Sequence, residues 1–136
     1  MIKKNLSNIL SWLLLGVVVI YFAYSKGWIF AGFDSITPQQ AQTLLKNDKN
    51  VFLLDVRTKE EFAQEYIAGA TLIPVQELTE KLSRLQDKKD KTIIVYCHSG
   101  NRSVQASRIL ANNGFIPLNV SGGITGWKSE SLPTIQ

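Results

Sequence analysis

The sequence contains only one cysteine, Cys97, and one histidine, His98, among its 136 residues. A single cysteine forms no internal disulfide, and it does not supply the several thiolates of a structural zinc site. Because the two residues are adjacent and no other His or Cys is present, we expect no metal site, and nothing in the sequence calls for a cofactor. Cys97 is therefore either a small buried side chain or a reactive thiol.

The sequence also lacks a charge excess beyond its first thirty-three residues. The net charge is +4, and Lys3, Lys4 and Lys26 contribute three of the positive charges. From Asp34 onward, twelve basic side chains face eleven acidic ones. That segment contains no cluster of Lys and Arg interleaved with aromatic residues, so the composition gives no support to nucleic-acid binding.

The N-terminal segment differs from the rest in hydropathy. Leu6 to Tyr24 is a run of 19 residues without a charged side chain. As a helix it would be about 28 Å long, close to the thickness of the hydrocarbon core of a bilayer. We predict that residues 1–33 are a retained membrane anchor with a linker, and that residues 34–136 are the folded domain. The alternatives are a cleaved signal peptide, with Ala23 and Ser25 at the small-residue positions, and a buried helix of a soluble protein.

The lysines around this segment predict its orientation. Lys3 and Lys4 precede the apolar run and favour a cytoplasmic N-terminus, although Lys26 on the other side is a counter-signal. The folded domain would then lie outside the cytoplasm, in the periplasm of a bacterium, or would be secreted if the segment were cleaved.

The folded domain alternates apolar runs with helical patterns. Thr37, Pro38 and Gln40 form the start signal of one helix, and the spacing of Val75, Leu78, Leu82 and Leu85 predicts another. Buried strands are predicted at 51–56, 70–75, 92–97 and 116–120, and further helices at 58–66, 103–114 and from Gly122. This alternation predicts an α/β fold with a parallel sheet and helices on both faces.

Cys97 follows directly on one predicted strand, and a helix is expected to begin near Ser103. Ligands of open parallel sheets bind at the carboxyl ends of strands. The intervening loop, "CHSGNR", would direct backbone N–H groups and a helix N-terminus at the sulfur, and Arg102 would add positive charge. A cysteine that only fills space belongs inside the strand, so we interpret Cys97 as an exposed, reactive thiol.

Four segments together resemble the rhodanese-like sulfurtransferases: "DVRTKEEF" (Asp55 to Phe62), "YIAGATLIP" (Tyr66 to Pro74), "CHSGNRS", and "GGITGW" (Gly122 to Trp127). The resemblance covers about residues 36–127. It departs from the family pattern at Glu65, Tyr66 and Ala68, where the family often carries Gly-His and Pro. We interpret these three positions as structural.

The resemblance implies a chemistry for the loop. Cys97 would take a sulfane sulfur from an anionic donor such as thiosulfate, carry it as a persulfide, and pass it to a thiol or to cyanide. Arg102 would assist as the second catalytic residue. The backbone from His98 to Arg102 would form the cradle, so that the substrate-binding residues are His98, Ser99, Gly100, Asn101 and Ser103. Asp55 and Arg57 are possible supporting residues, although we favour the simpler interpretation that Arg57 forms an ion pair with Glu60 or Glu61 at the strand end.

Two other functions compete with sulfur transfer. Cysteine-dependent phosphatases and arsenate reductases of a related fold have five residues between cysteine and arginine, whereas this loop has four between Cys97 and Arg102. A membrane-tethered module that carries sulfur or binds a protein without turnover would use the same residues.

Overall fold

The computed structural model describes residues 2–26, 28–29 and 32–136, and side chains from residue 5 onward within those ranges. The chain forms two compact units, residues 1–31 and 32–136. In the first, helix α1 (Ile2–Ser25) contains a stretch, Asn5–Ser25, with a mean hydropathy of 2.1. By length and composition that stretch is suited either to a membrane span or to a signal sequence.

The second unit is a five-stranded parallel sheet with helices on both faces. The strand order is β1–β5–β4–β2–β3, so the sheet grows outward on both sides of β4. The strands are β1 (Asp34–Ile36), β2 (Val51–Asp55), β3 (Thr71–Leu72), β4 (Thr92–Tyr96) and β5 (Ile116–Val120). The helices are α2 (Pro38–Asn47), α3 (Lys59–Gln64), α4 (Val75–Leu78), α5 (Asn101–Asn112) and α6 (Gly123–Ser129), with a 3₁₀ helix at Leu82–Lys88.

The strand β4 shows why the sheet is buried on both sides. Ile93 and Val95 belong to one apolar cluster, with α4, the 3₁₀ helix and α5, whereas Ile94 and Tyr96 belong to a second cluster with α2 and α6. Successive side chains of a strand point to opposite faces, so an uninterrupted apolar run fills both clusters. The predicted α/β fold is confirmed, and its four predicted strands are all present.

The sequence patterns missed one strand and merged two helices. No strand is predicted at β1, because three residues beginning with Asp-Ser show no apolar alternation; its hydrogen bonds to β5 make it an edge strand. The helix predicted from Val75 to Leu85 is wrong, because α4 ends at Leu78 and the 3₁₀ helix starts at Leu82. Leu82 and Leu85 are three residues apart, which is also the period of a 3₁₀ helix, so spacing could not distinguish the two.

The helix α2 begins as predicted, with both bonds of a capping box between Thr37 and Gln40. α5 starts two residues earlier than predicted, at Asn101. Gly100 precedes it in a left-handed conformation, with φ of +115°, and its N–H faces back toward Cys97. The helix thus begins inside the loop that carries the thiol.

Candidate active site

Cys97 lies at the carboxyl end of the central strand, one residue after β4. Its side chain is 1% exposed and is part of the apolar cluster under α5. The prediction of an exposed thiol is therefore wrong. The strand end is covered because α5 starts only four residues later and turns back over the sulfur.

Polar groups nevertheless contact the sulfur. The Gly100 N–H donates to Cys97 Sγ at 3.1 Å, and the thiol donates to Ser103 Oγ at 3.4 Å. The Ser103 hydroxyl in turn donates to the Gly100 carbonyl at 3.2 Å. A hydroxyl rotates freely, so on loss of the thiol proton Ser103 can donate to the sulfur instead. The first N–H groups of the 12-residue helix α5 face the same loop, so the sulfur lies among hydrogen-bond donors.

Helix α6 fixes the backbone of Cys97 and His98. Ile124 N–H donates to the Cys97 carbonyl at 2.8 Å, and Thr125 N–H donates to the His98 carbonyl at 3.1 Å. Gly123 makes this approach possible: a Cβ there would lie 2.4 Å from the Cys97 oxygen and 2.6 Å from the His98 oxygen. The "GGITGW" segment thus supports the thiol loop through its backbone, and its last residue, Trp127, is buried in the second apolar cluster.

Arg102 forms a bidentate ion pair with Glu61 of α3. Nη1 and Nη2 of Arg102 lie 2.6 and 3.0 Å from the two Glu61 oxygens, and both side chains are about 30% exposed. The hydrogen bond from Arg102 lowers the pKa of Glu61 to about 2, and the Glu61 carboxylate raises the pKa of Arg102. The Arg102 guanidinium is therefore paired with a carboxylate of the domain itself.

The expected pairing of Arg57 with Glu60 or Glu61 is wrong. Arg57 pairs with Asp55, Nη2 to Oδ2 at 2.7 Å, and also donates to the Glu65 carbonyl at 2.6 Å. Both members of the pair are buried, at 0% exposure for Asp55 and 4% for Arg57. Arg57 pairs with Asp55 because the two residues are close in sequence and the Arg57 backbone N–H also donates to Asp55 Oδ1 at 2.9 Å.

Tyr96 completes this buried group. Its ring lies under the Arg57 guanidinium, 5.6 Å from ring centroid to Cζ, and its hydroxyl accepts the Ile67 N–H at 3.1 Å. Burial, reinforced by the charge of Asp55, raises the pKa of Tyr96. Asp55 and Arg57 thus link the end of β2 to Tyr96 of β4 beneath the loop. Among the described residues 32–136, neither side chain forms a hydrogen bond with the Cys97 sulfur.

The remaining predicted loop residues are exposed. Ser99 and Asn101 lie on the outer side of the loop. His98 is also exposed, with Nε2 3.5 Å from Thr125 Oγ1, and it lines a cavity of about 400 Å³ beside the loop. The other residues around that cavity are largely charged or polar: Arg57, Glu61, Gln64, Glu65, Ile124, Lys128 and Gln136.

The atypical pair Glu65 and Tyr66 holds the C-terminal segment. Glu65 accepts hydrogen bonds from Thr134 Oγ1 at 2.6 Å and from Lys128 Nζ at 2.9 Å. Tyr66 exchanges backbone hydrogen bonds with Ile135. These contacts support the interpretation of Glu65 and Tyr66 as structural positions, and Glu65 also lines the cavity beside His98.

A family model of the Rhodanese-like domain matches residues 37–130. The chain belongs to the rhodanese-like domain family. A sulfurtransferase of Allochromatium vinosum is 33% identical over 103 residues, which are 75% of this chain and 94% of that protein. The thiosulfate sulfurtransferase PspE of Escherichia coli is 34% identical over 83 residues, or 61% and 77% of the two chains. The crystal structure of a rhodanese-related protein from Thermoplasma volcanium, 36% identical, superposes with a TM-score of 0.67 over 76% of this chain and 98% of its own.

In this rhodanese-like domain, sequence reasoning missed the role of Glu61. Its position was visible as the third residue after Thr58, in a capping box that the structure contains. No sequence signal showed that the same carboxylate also reaches Arg102, 41 residues further along the chain.

Proposed function

We propose that this rhodanese-like domain is a sulfurtransferase that carries a sulfane sulfur on Cys97. Thiosulfate is the proposed donor, and a thiol or cyanide is the proposed acceptor. The observation that carries the proposal is the Gly100 N–H, 3.1 Å from Cys97 Sγ at the start of α5. A donor aimed at a sulfur stabilises the thiolate, which is the nucleophilic form.

The reaction needs two displacement steps at sulfur. The Cys97 thiolate attacks the outer sulfur of thiosulfate, the S–S bond of the donor breaks, and sulfite leaves with the electron pair. The acceptor then attacks the outer sulfur of the Cys97 persulfide, whose S–S bond breaks to restore the thiolate. Cyanide yields thiocyanate, and a thiolate yields a new persulfide, so no outside oxidant or reductant is consumed.

The names of the similar proteins support this choice of chemistry. The relatives from Allochromatium vinosum and Escherichia coli are both called sulfurtransferases, the second with thiosulfate as its substrate. The spacing of the loop also supports it, because four residues separate Cys97 from Arg102 instead of the five of cysteine-dependent phosphatases.

Location is part of the proposal. We infer that α1 is a retained membrane anchor, because the apolar run from Leu6 to Tyr24 is longer than the core of a typical signal peptide. Lys3 and Lys4 precede it, so the sulfurtransferase domain would lie outside the cytoplasm. A cleaved signal would release the same domain in soluble form.

Intact-mass spectrometry tests the function directly. After thiosulfate treatment the protein should gain about 32 Da, the mass of one sulfur, and cyanide or dithiothreitol should remove it. The Cys97→Ser variant is the matched control and should gain nothing. A protein that gains no sulfur from any sulfane donor, or that hydrolyses an aryl phosphate instead, would overturn the sulfurtransferase proposal.

A further inference from the structure

The ion pair of Glu61 and Arg102 changes the charge that a donor meets at the loop. Arg102 is the only Lys or Arg between Cys97 and Ser103. Its guanidinium uses both terminal nitrogens on the Glu61 carboxylate, so the positive charge nearest the helix start is balanced. An anion that approaches the thiol therefore meets a neutral pair in place of a free cation.

Local contacts hold Glu61 in this position. Its backbone N–H donates to Thr58 Oγ1 at 3.2 Å, and its Oε1 accepts from the Thr58 N–H at 3.3 Å. These two bonds form the capping box of α3, which orients the side chain independently of Arg102. The carboxylate therefore remains beside the loop even if a donor draws the arginine away.

We propose that Glu61 is a specificity-determining residue that lowers the affinity of the loop for anionic sulfur donors. The inference rests on the proposed function, since it concerns the donor step at Cys97. An anionic donor competes with the carboxylate for Arg102 and is repelled by it, whereas a neutral donor experiences neither effect. Glu61 thus sets the balance between charged and uncharged donors.

The Glu61→Gln variant isolates the charge. Gln is also a normal third residue of a capping box, so it retains the bonds to Thr58 while removing the carboxylate charge. Glu60→Gln is the matched control, because Glu60 is an exposed neighbour on the same helix and the change removes the same charge. A general effect of net charge would appear equally in both variants.

Alkylation of Cys97 measures the effect without sulfur transfer. Iodoacetate and iodoacetamide are nearly equal in size, but only the first is an anion, and Cys97 is the sole cysteine among the 136 residues. In Glu61→Gln, the ratio of the iodoacetate rate to the iodoacetamide rate should rise about fivefold, as expected for losing one partly exposed charge. In Glu60→Gln it should stay within about twofold of the wild-type ratio. Thiosulfate should show the same pattern, as a lower KM with little change in kcat.

Three results would overturn the inference. The ratio could remain unchanged or fall in Glu61→Gln, which would make Glu61 a residue that only positions Arg102. It could rise equally in both variants, which would make the effect one of net charge. The third result is that neither reagent reacts with Cys97, which would mean that small molecules do not reach the loop. The mass test of Cys97 is separate: persulfide formation without the Glu61 effect refutes only this inference. The Glu61 effect without a persulfide refutes the proposed function and with it the role of Glu61 toward sulfur donors, while the charge effect on anions at the thiol stands.

Discussion

Substituting Gly123 by alanine should damage the Cys97 loop and the stability of the domain together. Gly123 has a φ of +58°, in the left-handed region, and its α carbon faces the carbonyls of Cys97 and His98. An added Cβ would lie 2.4 Å from one carbonyl oxygen and 2.6 Å from the other. Because these neighbours are backbone atoms, they cannot move aside without displacing the loop or α6.

The expected loss can be worked from these contacts. A side chain in the left-handed conformation costs about 1–2 kcal/mol. Separating α6 from the loop weakens two backbone hydrogen bonds, from Ile124 and Thr125, at about 1 kcal/mol each. The free energy of unfolding should therefore fall by about 3–4 kcal/mol. For a domain of this size, that corresponds to a decrease in Tm of roughly 15 °C or more.

Gly69→Ala is the matched control. Gly69 also has a positive φ, +84°, but a Cβ there would have nothing within 4 Å. It should cost only the conformational term of about 1–2 kcal/mol. Thermal unfolding of the detergent-solubilised chain, followed by near-UV circular dichroism, compares the two, and the rate of sulfur gain at Cys97 reports on the loop. Equal losses in both variants, or normal loading of Cys97 in Gly123→Ala, would refute the reasoning.

Three further changes test the two ion pairs and the membrane topology. Asp55→Asn leaves a buried arginine without its counter-charge and should reduce the free energy of unfolding by about 3–5 kcal/mol in urea denaturation. Arg102 lowers the pKa of Glu61 from 4.5 to about 2 in the folded state. The ion pair should therefore contribute fully to the free energy of unfolding above about pH 4.5, and this contribution should disappear as the pH falls toward 2. The difference in stability between wild type and Glu61→Gln should shrink over that window. The topology is tested with Glu130→Cys in a Cys97→Ser background, since Glu130 is exposed. If the domain lies outside the cytoplasm, as we propose, this cysteine should react with an impermeant maleimide in intact cells.

Each of these tests has a contradicting result. A loss below about 1 kcal/mol in Asp55→Asn would mean that the pair contributes little more than an exposed one. A stability difference for Glu61→Gln that is constant from pH 5 to pH 2 would exclude the ion pair as its source. A cysteine at position 130 that is labelled only after the membrane is breached would reverse the topology. A mature chain that begins near Lys26 would identify α1 as a cleaved signal.

The fold was predictable because its strands are local patterns with few alternatives. An uninterrupted apolar run such as Ile93 to Tyr96 fills both faces of a buried strand, whatever its partners are. The start of α2 was equally local, since Thr37 and Gln40 satisfy each other within three residues. β1 was missed for the opposite reason: Asp34 to Ile36 becomes a strand only because β5 offers an edge to it.

The candidate site divides in the same way. The loop could be located from Cys97, Gly100 and the following helix, because strand end and helix start are both readable in sequence. The pairing of each arginine with its carboxylate could not be predicted, since Arg57 and Arg102 are both within reach of α3 once the chain is folded. In the structure, Asp55 accepts the Arg57 backbone N–H and pairs with the Arg57 side chain, whereas Glu61 pairs with Arg102.

Burial alone does not distinguish a reactive thiol from one that fills space, because the contacts of Cys97 are compatible with both roles. It contributes to the apolar cluster with Val95 and Ala106, and it also accepts the Gly100 N–H. The second contact decides the matter physically. A buried N–H without an acceptor is costly, so the loop requires an acceptor at this position, and a sulfur that accepts a hydrogen bond is stabilised as the anion. The bond that allows the loop to be buried would therefore also stabilise the thiolate that we propose as the nucleophile.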